Sequence, residues 1–296
     1  MPQKTPKPPW LSRRLPAAGQ SRVVSELLAG LRLNTVCREA QCPNQGECFG
    51  RGTATFLLLG PTCTRRCTFC AVSKDAATAP DEGEPKRVAQ AVARLGVSFC
   101  VLTMVTRDDL PDGGAGHVAR TVAAIRDRCP GVRIEALVSD FQARTEALAT
   151  VLGAGPEVLN HNLETVARLY PEVRPQADYD RSLRLLALAD AARPRPVTKS
   201  GLMLGLGETR SEVLRTLDDL REAGCDLLTL GQYLAPSIAH HPVVRYVPPE
   251  EFDRLAEEAL ERGFAAVAGG PYVRSSYQAD RLYLQAQAAR TPPMTT

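Results

Sequence analysis

The chain has 296 residues, 44% hydrophobic and 23% charged, which is typical of a soluble globular protein with a full core. Its net charge of +3 is too small to favour nucleic-acid binding, and its apolar runs are too short to cross a bilayer. The proline-rich, basic N-terminus lacks the apolar stretch of a signal peptide. We therefore expect a cytosolic protein, in which clustered cysteines bind metal or act in catalysis rather than form disulfides.

Residues 1–20 predict a poorly ordered arm, and residues 21–34 predict a short helix. From residue 55 onward, short apolar runs that are typical of buried strands alternate with helical patterns. Three of the predicted helices carry an apolar stripe with start or stop signals, namely 84–95, 209–223 and 250–262. The predicted strands are 55–60, 97–103, 132–138, 157–162, 197–204, 226–231 and 264–269.

This alternation predicts the α/β fold class, because strands joined by helical crossovers form a parallel sheet covered by helices. Six or seven such units favour a complete or partial (β/α) barrel over an open sheet. In either architecture, we expect the active-site residues at the carboxyl ends of the strands.

One group of three cysteines directly follows the first of these strands, with the spacing Cys63-x3-Cys67-x2-Cys70. Three thiolates on so short a loop can converge on one metal cluster, and soft sulfur ligands favour zinc, copper(I) or iron–sulfur clusters. Structural zinc sites and most iron–sulfur clusters take four protein ligands, so three leave one metal with an open position for chemistry. The alternative is a zinc site completed by a distant histidine or cysteine.

A second group precedes the predicted barrel, with the spacing Cys37-x4-Cys42-x5-Cys48. Because it lies so close to the other group along the chain, it predicts a second cluster. The competing hypothesis is a single zinc ribbon built from both groups, which would leave two thiolates unused.

Other potential ligands favour structural interpretations. Cys100, Cys129 and Cys225 lie in apolar patterns, which predict core packing. The six clustered thiolates are better metal ligands than the histidines, so we expect none of His161, His240 and His241 to bind metal. Turn formation or substrate orientation is the expected role of Asp108, Asp109 and Asp112 beside Pro111 and Gly113.

The loop that ends in Phe69-Cys70 resembles the signature of the radical S-adenosylmethionine (SAM) superfamily. The first cysteine group narrows the resemblance to the lipoyl synthases of that superfamily, which the chain resembles from about Val36 to Ala279. Six further stretches carry it: GTATFLLLGPTCTRRCTFCAV, RDDLPDGGA, HNLETV, TKSGLMLGLGET, LTLGQYLAPS and GGPYVRSSY.

The resemblance implies a partial barrel of radical SAM type with an N-terminal cysteine-rich extension and a C-terminal extension. It divides the chain into residues 1–52 with the auxiliary-cluster segment, residues 53–270 with the barrel, and residues 271–296 with the RSSY motif. It also implies two 4Fe–4S clusters and SAM as cofactors. In this interpretation, a radical derived from SAM removes hydrogen from C6 and C8 of a protein-bound octanoyl chain, and the auxiliary cluster supplies two sulfur atoms.

The same resemblance implies the roles of particular residues. Cys63, Cys67 and Cys70 would hold the catalytic cluster. The auxiliary cluster would take Cys37, Cys42, Cys48 and an oxygen ligand from Ser275, with Ser276 as the less favoured choice. Phe69, Asn162, Glu164 and Met203 would lie near SAM, and Arg65 and Arg66 could offset the negative charge of a cluster.

The implied partners are an octanoylated lipoyl-carrier domain, of a 2-oxoacid dehydrogenase E2 or a glycine cleavage H protein, and an electron donor such as ferredoxin or flavodoxin. No nucleic acid and no membrane partner is expected. One alternative is another sulfur-inserting radical SAM enzyme, similar to biotin synthase or to a tRNA methylthiotransferase. A different class of protein, a zinc-dependent binding module, is the other alternative.

Overall fold

A computed structural model describes residues 6–12 and 19–290, so part of the predicted N-terminal arm lies outside the described residues. The α-helices are α1 (Gly19–Gly30), α2 (Val36–Glu39), α3 (Gln45–Gly50), α4 (Glu84–Leu95), α5 (Ala115–Arg128), α6 (Thr145–Gly153), α7 (Tyr170–Val173), α8 (Tyr179–Ala191), α9 (Arg210–Glu222), α10 (Pro249–Glu261) and α11 (Ala279–Arg290). The strands are β1 (Asn34–Thr35), β2 (Thr55–Leu58), β3 (Phe99–Met104), β4 (Arg133–Leu137), β5 (Val158–Asn160), β6 (Val197–Leu204), β7 (Leu227–Gln232) and β8 (Ala266–Gly270). Short 3-10 helices cover Pro9–Leu11, Phe141–Ala143 and Ala167–Leu169.

The strands form a single sheet in the order β1-β2-β3-β4-β5-β6-β7-β8. The two-residue strand β1 pairs antiparallel with β2, and every later neighbour pairs parallel. Within the described residues β8 pairs with β7 alone, so the sheet curves without closing. The architecture is a partial (β/α) barrel, which confirms the fold class predicted from the sequence.

The predicted elements are found close to their expected bounds because their signals are local. Strand β6 and helix α4 have the predicted limits, and Gly96 ends α4 in the left-handed region. At the start of α9, Thr209 and Glu212 form the predicted capping box. The helix predicted over residues 21–34 is α1 and ends earlier, at Gly30, because the chain turns there to pair Asn34 and Thr35 with β2.

Side chains on the inner face of the sheet form two layers. At one end, Val158, Val197, Leu227 and Ala266 pack against helix α11 in an apolar cluster. Residues two positions further along a strand point to the same side, and here the interior becomes polar, with Glu135, Asn160 and Lys199 fully buried. Helix α11 thus covers one end of the barrel, and the polar layer separates it from the carboxyl ends of the strands.

None of the helices in the described residues combines the length and the apolar character that crossing a bilayer requires.

Candidate active site

The loop that carries Cys63, Cys67 and Cys70 follows β2 at the carboxyl-end edge of the sheet. Backbone hydrogen bonds tie it to two neighbouring segments: Thr64 N donates to Thr106 O (3.0 Å), and Thr68 N donates to Val173 O (3.0 Å). The first acceptor follows β3, and the second ends the short helix after β5. Other units of the barrel therefore hold the cysteine loop in position.

The three thiols of this loop are neighbours. Burial is the largest cause that raises the pKa of Cys70 to about 12, and Cys67, Cys63 and Glu164 raise it further. Burial also raises the pKa of Cys67, and the Arg174 guanidinium offsets part of this increase. The free thiols of Cys67 and Cys70 are therefore protonated at neutral pH, and metal binding displaces such protons. The donor set is soft, so it suits an iron–sulfur cluster better than a hard cation.

Arg65 lies inside the cysteine loop, and its guanidinium is paired with two carboxylates. Its Nε donates to Asp108 Oδ2 (2.7 Å) and its Nη2 donates to Asp140 Oδ1 (2.6 Å), while 3% of the side chain is exposed. Asp140 also pairs with Arg181. The hypothesis that Arg65 offsets cluster charge therefore needs correction, because two carboxylates already neutralise this guanidinium. Arg65 anchors the loop to the barrel.

The aspartates that follow β3 have structural roles. Asp108 binds Arg65, and Asp109 accepts two hydrogen bonds from Arg107 at 2.8 Å each. Asp112 accepts from Gly114 N (2.9 Å) and Gly116 N (2.8 Å) at the start of α5. The predicted role in turn formation is confirmed for Asp112.

The residues expected near SAM meet at the ends of β5 and β6. Asn162 Nδ2 donates to Glu164 Oε1 (3.1 Å), and Met203 N donates to Glu164 O (2.8 Å). Burial raises the pKa of the Glu164 carboxyl, and Arg174 lowers it. Phe69 and Met203 both pack against the apolar cluster on this side of the barrel. The structure thus places these residues beside the cysteine loop at one edge of the sheet.

Sequence reasoning missed Arg174. Its side chain is buried, and Nη1 donates to Asn162 O (3.0 Å), Leu163 O (2.9 Å) and Tyr170 Oη (3.0 Å). The guanidinium lies close enough to Cys67 and Glu164 to alter the pKa of both. It follows a short helix and no motif marks it, so its place between the loop and Glu164 is a tertiary feature.

The three histidines considered as ligands have other hydrogen-bond partners, which are backbone carbonyls for His161 and His241 and a serine hydroxyl for His240. His161 is buried, with Nδ1 2.8 Å from Val138 O, and burial is the largest cause that lowers its pKa to about 4. His241 Nε2 lies 2.9 Å from Leu206 O, and His240 Nδ1 lies 2.8 Å from Ser237 Oγ. His161 is therefore uncharged at neutral pH.

The first cysteine group lies on two short helices that precede β2. Thr35 caps α2 by accepting from Cys37 N (3.3 Å), and Cys48 lies within α3. Burial is the largest cause that raises the pKa of Cys48 to about 12, followed by Cys37 and Cys42. These three thiols are therefore neighbours too, in a group separate from the loop after β2.

A cavity of about 440 Å³ adjoins the first group. All three of its cysteines line the cavity, and so do Ser276 and Tyr277 from the C-terminal part of the chain. Within the described residues, no three His, Cys, Asp or Glu side chains converge on a point that would hold one bare metal ion. In a cluster the iron atoms are separate, so neighbouring thiols can each bind a different one.

The two serines of the RSSY motif point to different places. Ser275 Oγ accepts from Asn160 Nδ2 (2.7 Å) and donates to Asn162 Oδ1 (3.0 Å), which places its hydroxyl in the barrel interior. Ser276 lines the cavity beside the three thiols, and Ser275 is not among the lining residues. The two neighbouring serines thus face opposite sides of this turn, and which of them is a cluster ligand stays a prediction.

The remaining cysteines pack in the core. Cys100 and Cys225 are buried within apolar clusters, and Cys129 is half-buried against one of them. Their predicted role in core packing is confirmed.

Comparison with known proteins first defines a class. The sequence model of the radical SAM superfamily matches residues 57–220, more than half of the chain, including the cysteine loop after β2. The matched region is the part of the barrel that brings this loop, Glu164 and Arg174 together. The class is therefore radical SAM enzymes, for which SAM and a 4Fe–4S cluster are the cofactors.

Curated relatives define the family. The chain is 58% identical to "Lipoyl synthase" of Trichlorobacter lovleyi, over 92% of this chain and 97% of the relative. It is 54% identical to "Lipoyl synthase" of Thermus thermophilus, over 95% and 87%, and 52% identical to "Lipoyl synthase" of Desulfotalea psychrophila, over 96% and 95%. The chain belongs to the lipoyl synthase family, as its resemblance predicted.

Solved structures share the fold at low sequence identity. HydG, a maturase of the [FeFe]-hydrogenase, matches with a TM-score of 0.55 and 15% identity over 92% of this chain and 61% of its own. SuiB of Streptococcus suis bound to S-adenosylmethionine matches with a TM-score of 0.56 and 11% identity. That match covers 72% of this chain, which spans about half (49%) of SuiB. These similarities support the barrel architecture alone.

Proposed function

We propose that the chain is a lipoyl synthase that inserts two sulfur atoms, at C6 and C8, into a protein-bound octanoyl chain. The observation that carries the proposal is the presence of two separate groups of three neighbouring thiols on a radical SAM barrel. One group lies at the carboxyl ends of the strands, and the RSSY segment adjoins the other. Two such groups suit a reaction in which one cluster would generate a radical and another would supply sulfur.

In this proposal, Cys63, Cys67 and Cys70 hold the catalytic cluster. When bound, that cluster supplies the electron that cleaves SAM, and the radical so formed removes hydrogen from an unactivated carbon. Asn162 and Glu164 offer hydrogen-bond acceptors and donors for the hydroxyl groups of SAM, while Phe69 and Met203 offer apolar surface. Arg174 adds a buried positive charge, which suits a carboxylate.

Cys37, Cys42 and Cys48 would hold the auxiliary cluster, which is consumed as the source of sulfur. Ser276 supplies the fourth ligand in this proposal, because it lines the cavity beside the thiols. Ser275 becomes the second choice, since its hydroxyl already has two partners. An oxygen ligand matches the soft sites of such a cluster less well than a thiolate does, so Ser276 would be the weakest of the four proposed ligands, which suits a cluster that would supply sulfur.

The proposed macromolecular substrate is an octanoylated lipoyl-carrier domain, either of a 2-oxoacid dehydrogenase E2 or of a glycine cleavage H protein. A low-potential donor such as ferredoxin or flavodoxin would supply the electron, and the reducing cytosol would keep the nine cysteines from forming disulfides. We also retain the proposed division at residues 52 and 270, which separates the two segments that would hold the auxiliary cluster, 1–52 and 271–296, from the barrel.

The direct test is anaerobic, reductive turnover of an octanoyl-lysine peptide, followed by mass analysis. A product that gains two sulfur atoms supports the proposal, and a product with one sulfur favours an enzyme similar to biotin synthase. Metal analysis provides an independent check, because two cubane clusters correspond to about eight iron and eight sulfide per chain. About four iron would remove the proposed sulfur source, and zinc without iron would replace the whole proposal by a binding module.

The ligand assignment is tested with a pair of variants, Ser276→Cys and Ser275→Cys. A thiolate at the ligand position should retain the auxiliary cluster while it slows sulfur insertion, because iron then leaves less readily. We expect this result for Ser276→Cys. Finding it for Ser275→Cys instead would restore the order of preference inferred from the sequence.

A further inference from the structure

The segment between Gly270 and Tyr277, which we name the closing segment, is attached to the first cysteine group. Asn44 Nδ2 donates to Tyr272 O (2.6 Å), and Tyr277 Oη donates to Glu47 Oε1 (2.9 Å). Both partners lie between Cys42 and Cys48. These bonds hold the segment against the helix that carries part of the proposed auxiliary site.

The other side of the closing segment is bonded to the proposed SAM site. Ser275 Oγ donates to Asn162 Oδ1, whose Nδ2 in turn donates to Glu164 Oε1. A continuous series of hydrogen bonds therefore runs from Ser275 to the residues expected to bind the nucleoside. The residue that follows Ser275 is the proposed iron ligand Ser276, and consecutive Cα atoms lie only about 3.8 Å apart.

The Ser275 hydroxyl is also bonded to the polar layer of the barrel. Asn160 Nδ2 donates both to Ser275 Oγ (2.7 Å) and to Glu135 Oε1 (2.7 Å). Glu135 is paired with Lys199 at 2.8 and 2.9 Å, and Glu135, Lys199 and Asn160 are fully buried. The buried Glu135–Lys199 pair anchors one N–H of the Asn160 amide, so Asn160 stays in place when Ser275 is displaced.

The closing segment also passes close to the sheet. A Cβ atom placed on Gly231 of β7 would lie 2.2 Å from Val273 O, a distance at which something must shift. A side chain at this position would therefore displace the closing segment, which glycine allows to pass close to β7. This contact makes the segment sensitive to small changes in the barrel interior.

We propose that Ser275 is a positioning residue that couples the SAM site to the fourth ligand of the auxiliary cluster. This inference rests on the proposed function. The Asn162 amide oxygen has two acceptor positions, of which Ser275 uses one, so a ligand hydroxyl bonded to Asn162 shares this oxygen with Ser275. When SAM binds, Ser275 retains its bond to Asn160 while its bond to the shared Asn162 oxygen lengthens, which moves Ser276 relative to the three thiols. SAM binding therefore weakens the hold on the iron that leaves.

The test measures iron release from the holoenzyme to a ferrous chelator, under anaerobic conditions and without reductant, so that SAM binds but is not cleaved. The wild-type chain, Ser275→Ala, Ser275→Thr and Ser276→Ala are compared with and without saturating SAM. Equilibrium dialysis with labelled SAM shows that each variant still binds it. Tyr277→Phe is the matched control, because it removes a bond on the auxiliary side and leaves the series from Asn160 to Glu164 intact.

We expect SAM to accelerate release of one iron by about fivefold or more in the wild-type chain, the lower end of typical coupling between sites. Ser275→Ala should remove this dependence on SAM, and Ser275→Thr, which keeps a hydroxyl, should restore much of it. Tyr277→Phe should keep it. A merely structural role predicts faster release in Ser275→Ala with the SAM dependence unchanged, and this result would overturn the coupling.

Other outcomes separate this inference from the proposed function. If Ser276→Ala releases iron rapidly with and without SAM while Ser275→Ala still responds to SAM, the ligand assignment stands and the coupling fails. If Ser275→Ala alone loses the labile iron, Ser275 is the ligand. The assignment of Ser276 as the ligand and the coupling through Ser275 then both fail. A wild-type chain with about four iron, or one that does not bind SAM, contradicts the proposed function itself.

Discussion

The two cysteine groups differ in how the fold holds them. The loop from Cys63 to Cys70 is fixed by the barrel itself, through Arg65, Thr64 and Thr68 and their partners after neighbouring strands. The first group lies on two short helices, and a segment more than 200 positions away along the chain lies against it. The loop from Cys63 to Cys70 is thus held by the barrel, whereas the other group lies where the N-terminal and C-terminal extensions meet. A cluster that stays in place suits the loop from Cys63 to Cys70, and a cluster that is consumed suits the group of Cys37, Cys42 and Cys48.

The largest expected effect comes from removing one cysteine of each group. Cys70→Ala should abolish SAM cleavage, and Cys42→Ala should retain SAM cleavage without sulfur insertion. Each variant should hold about four iron per chain, because each loses one cubane cluster. Iron analysis and the yield of 5′-deoxyadenosine check this, and equal loss of SAM cleavage in both variants would contradict the division of labour.

Arg65→Ala tests whether the barrel holds the loop from Cys63 to Cys70 in place. Its removal leaves Asp140 buried with Arg181 alone, so we expect a loss of about 3 kcal/mol in the free energy of unfolding. The exposed neighbour Arg66 is the control, and Arg66→Ala should change stability by no more than about 0.5 kcal/mol. Anaerobic chemical denaturation measures both. Similar values for the two variants would show that the buried pairs do not anchor the loop.

Gly231→Ala tests whether the closing segment helps to hold the auxiliary site. The added methyl group meets Val273 O, so the closing segment must move, at a cost of about 1–3 kcal/mol. We expect faster iron loss from the auxiliary site with SAM cleavage retained. Gly153→Ala is the control, because nothing lies within 4 Å of the added atom. Unchanged iron retention in Gly231→Ala would mean that the segment does not hold the cluster.

The smallest effect concerns His161. Burial lowers the pKa of its imidazole from 6.5 to about 4. Between these values the unfolded chain binds more protons than the folded chain, so stability falls as the pH drops through this window. From about pH 7.5 to about pH 5.5 we expect a loss of roughly 1 kcal/mol from this group. His161→Asn should lack it, so the stability difference between wild type and variant narrows. A constant difference would show that His161 is not the group responsible.

The elements and the cysteine groups could be predicted because their signals are local. Apolar runs mark the strands, as in the residues 197–204 that became β6, and cysteine spacing marks ligands of distinctive chemistry. The role of Arg65 could not be predicted, since its partner Asp140 lies 75 positions away. Arg174 carried no motif at all, and only burial beside Cys67 and Glu164 gives it a role.

The sequence by itself determined the barrel, the two thiol groups and the family, because hydrophobic periodicity and metal-ligand chemistry are written in neighbouring residues. Only the tertiary structure decided which serine adjoins the auxiliary thiols. Ser275 finds Asn160 at a separation of 115 positions, and Tyr277 finds Glu47 at a separation of 230. Those contacts set the direction of the turn between them, and no property of two adjacent serines distinguishes one from the other before the chain has folded.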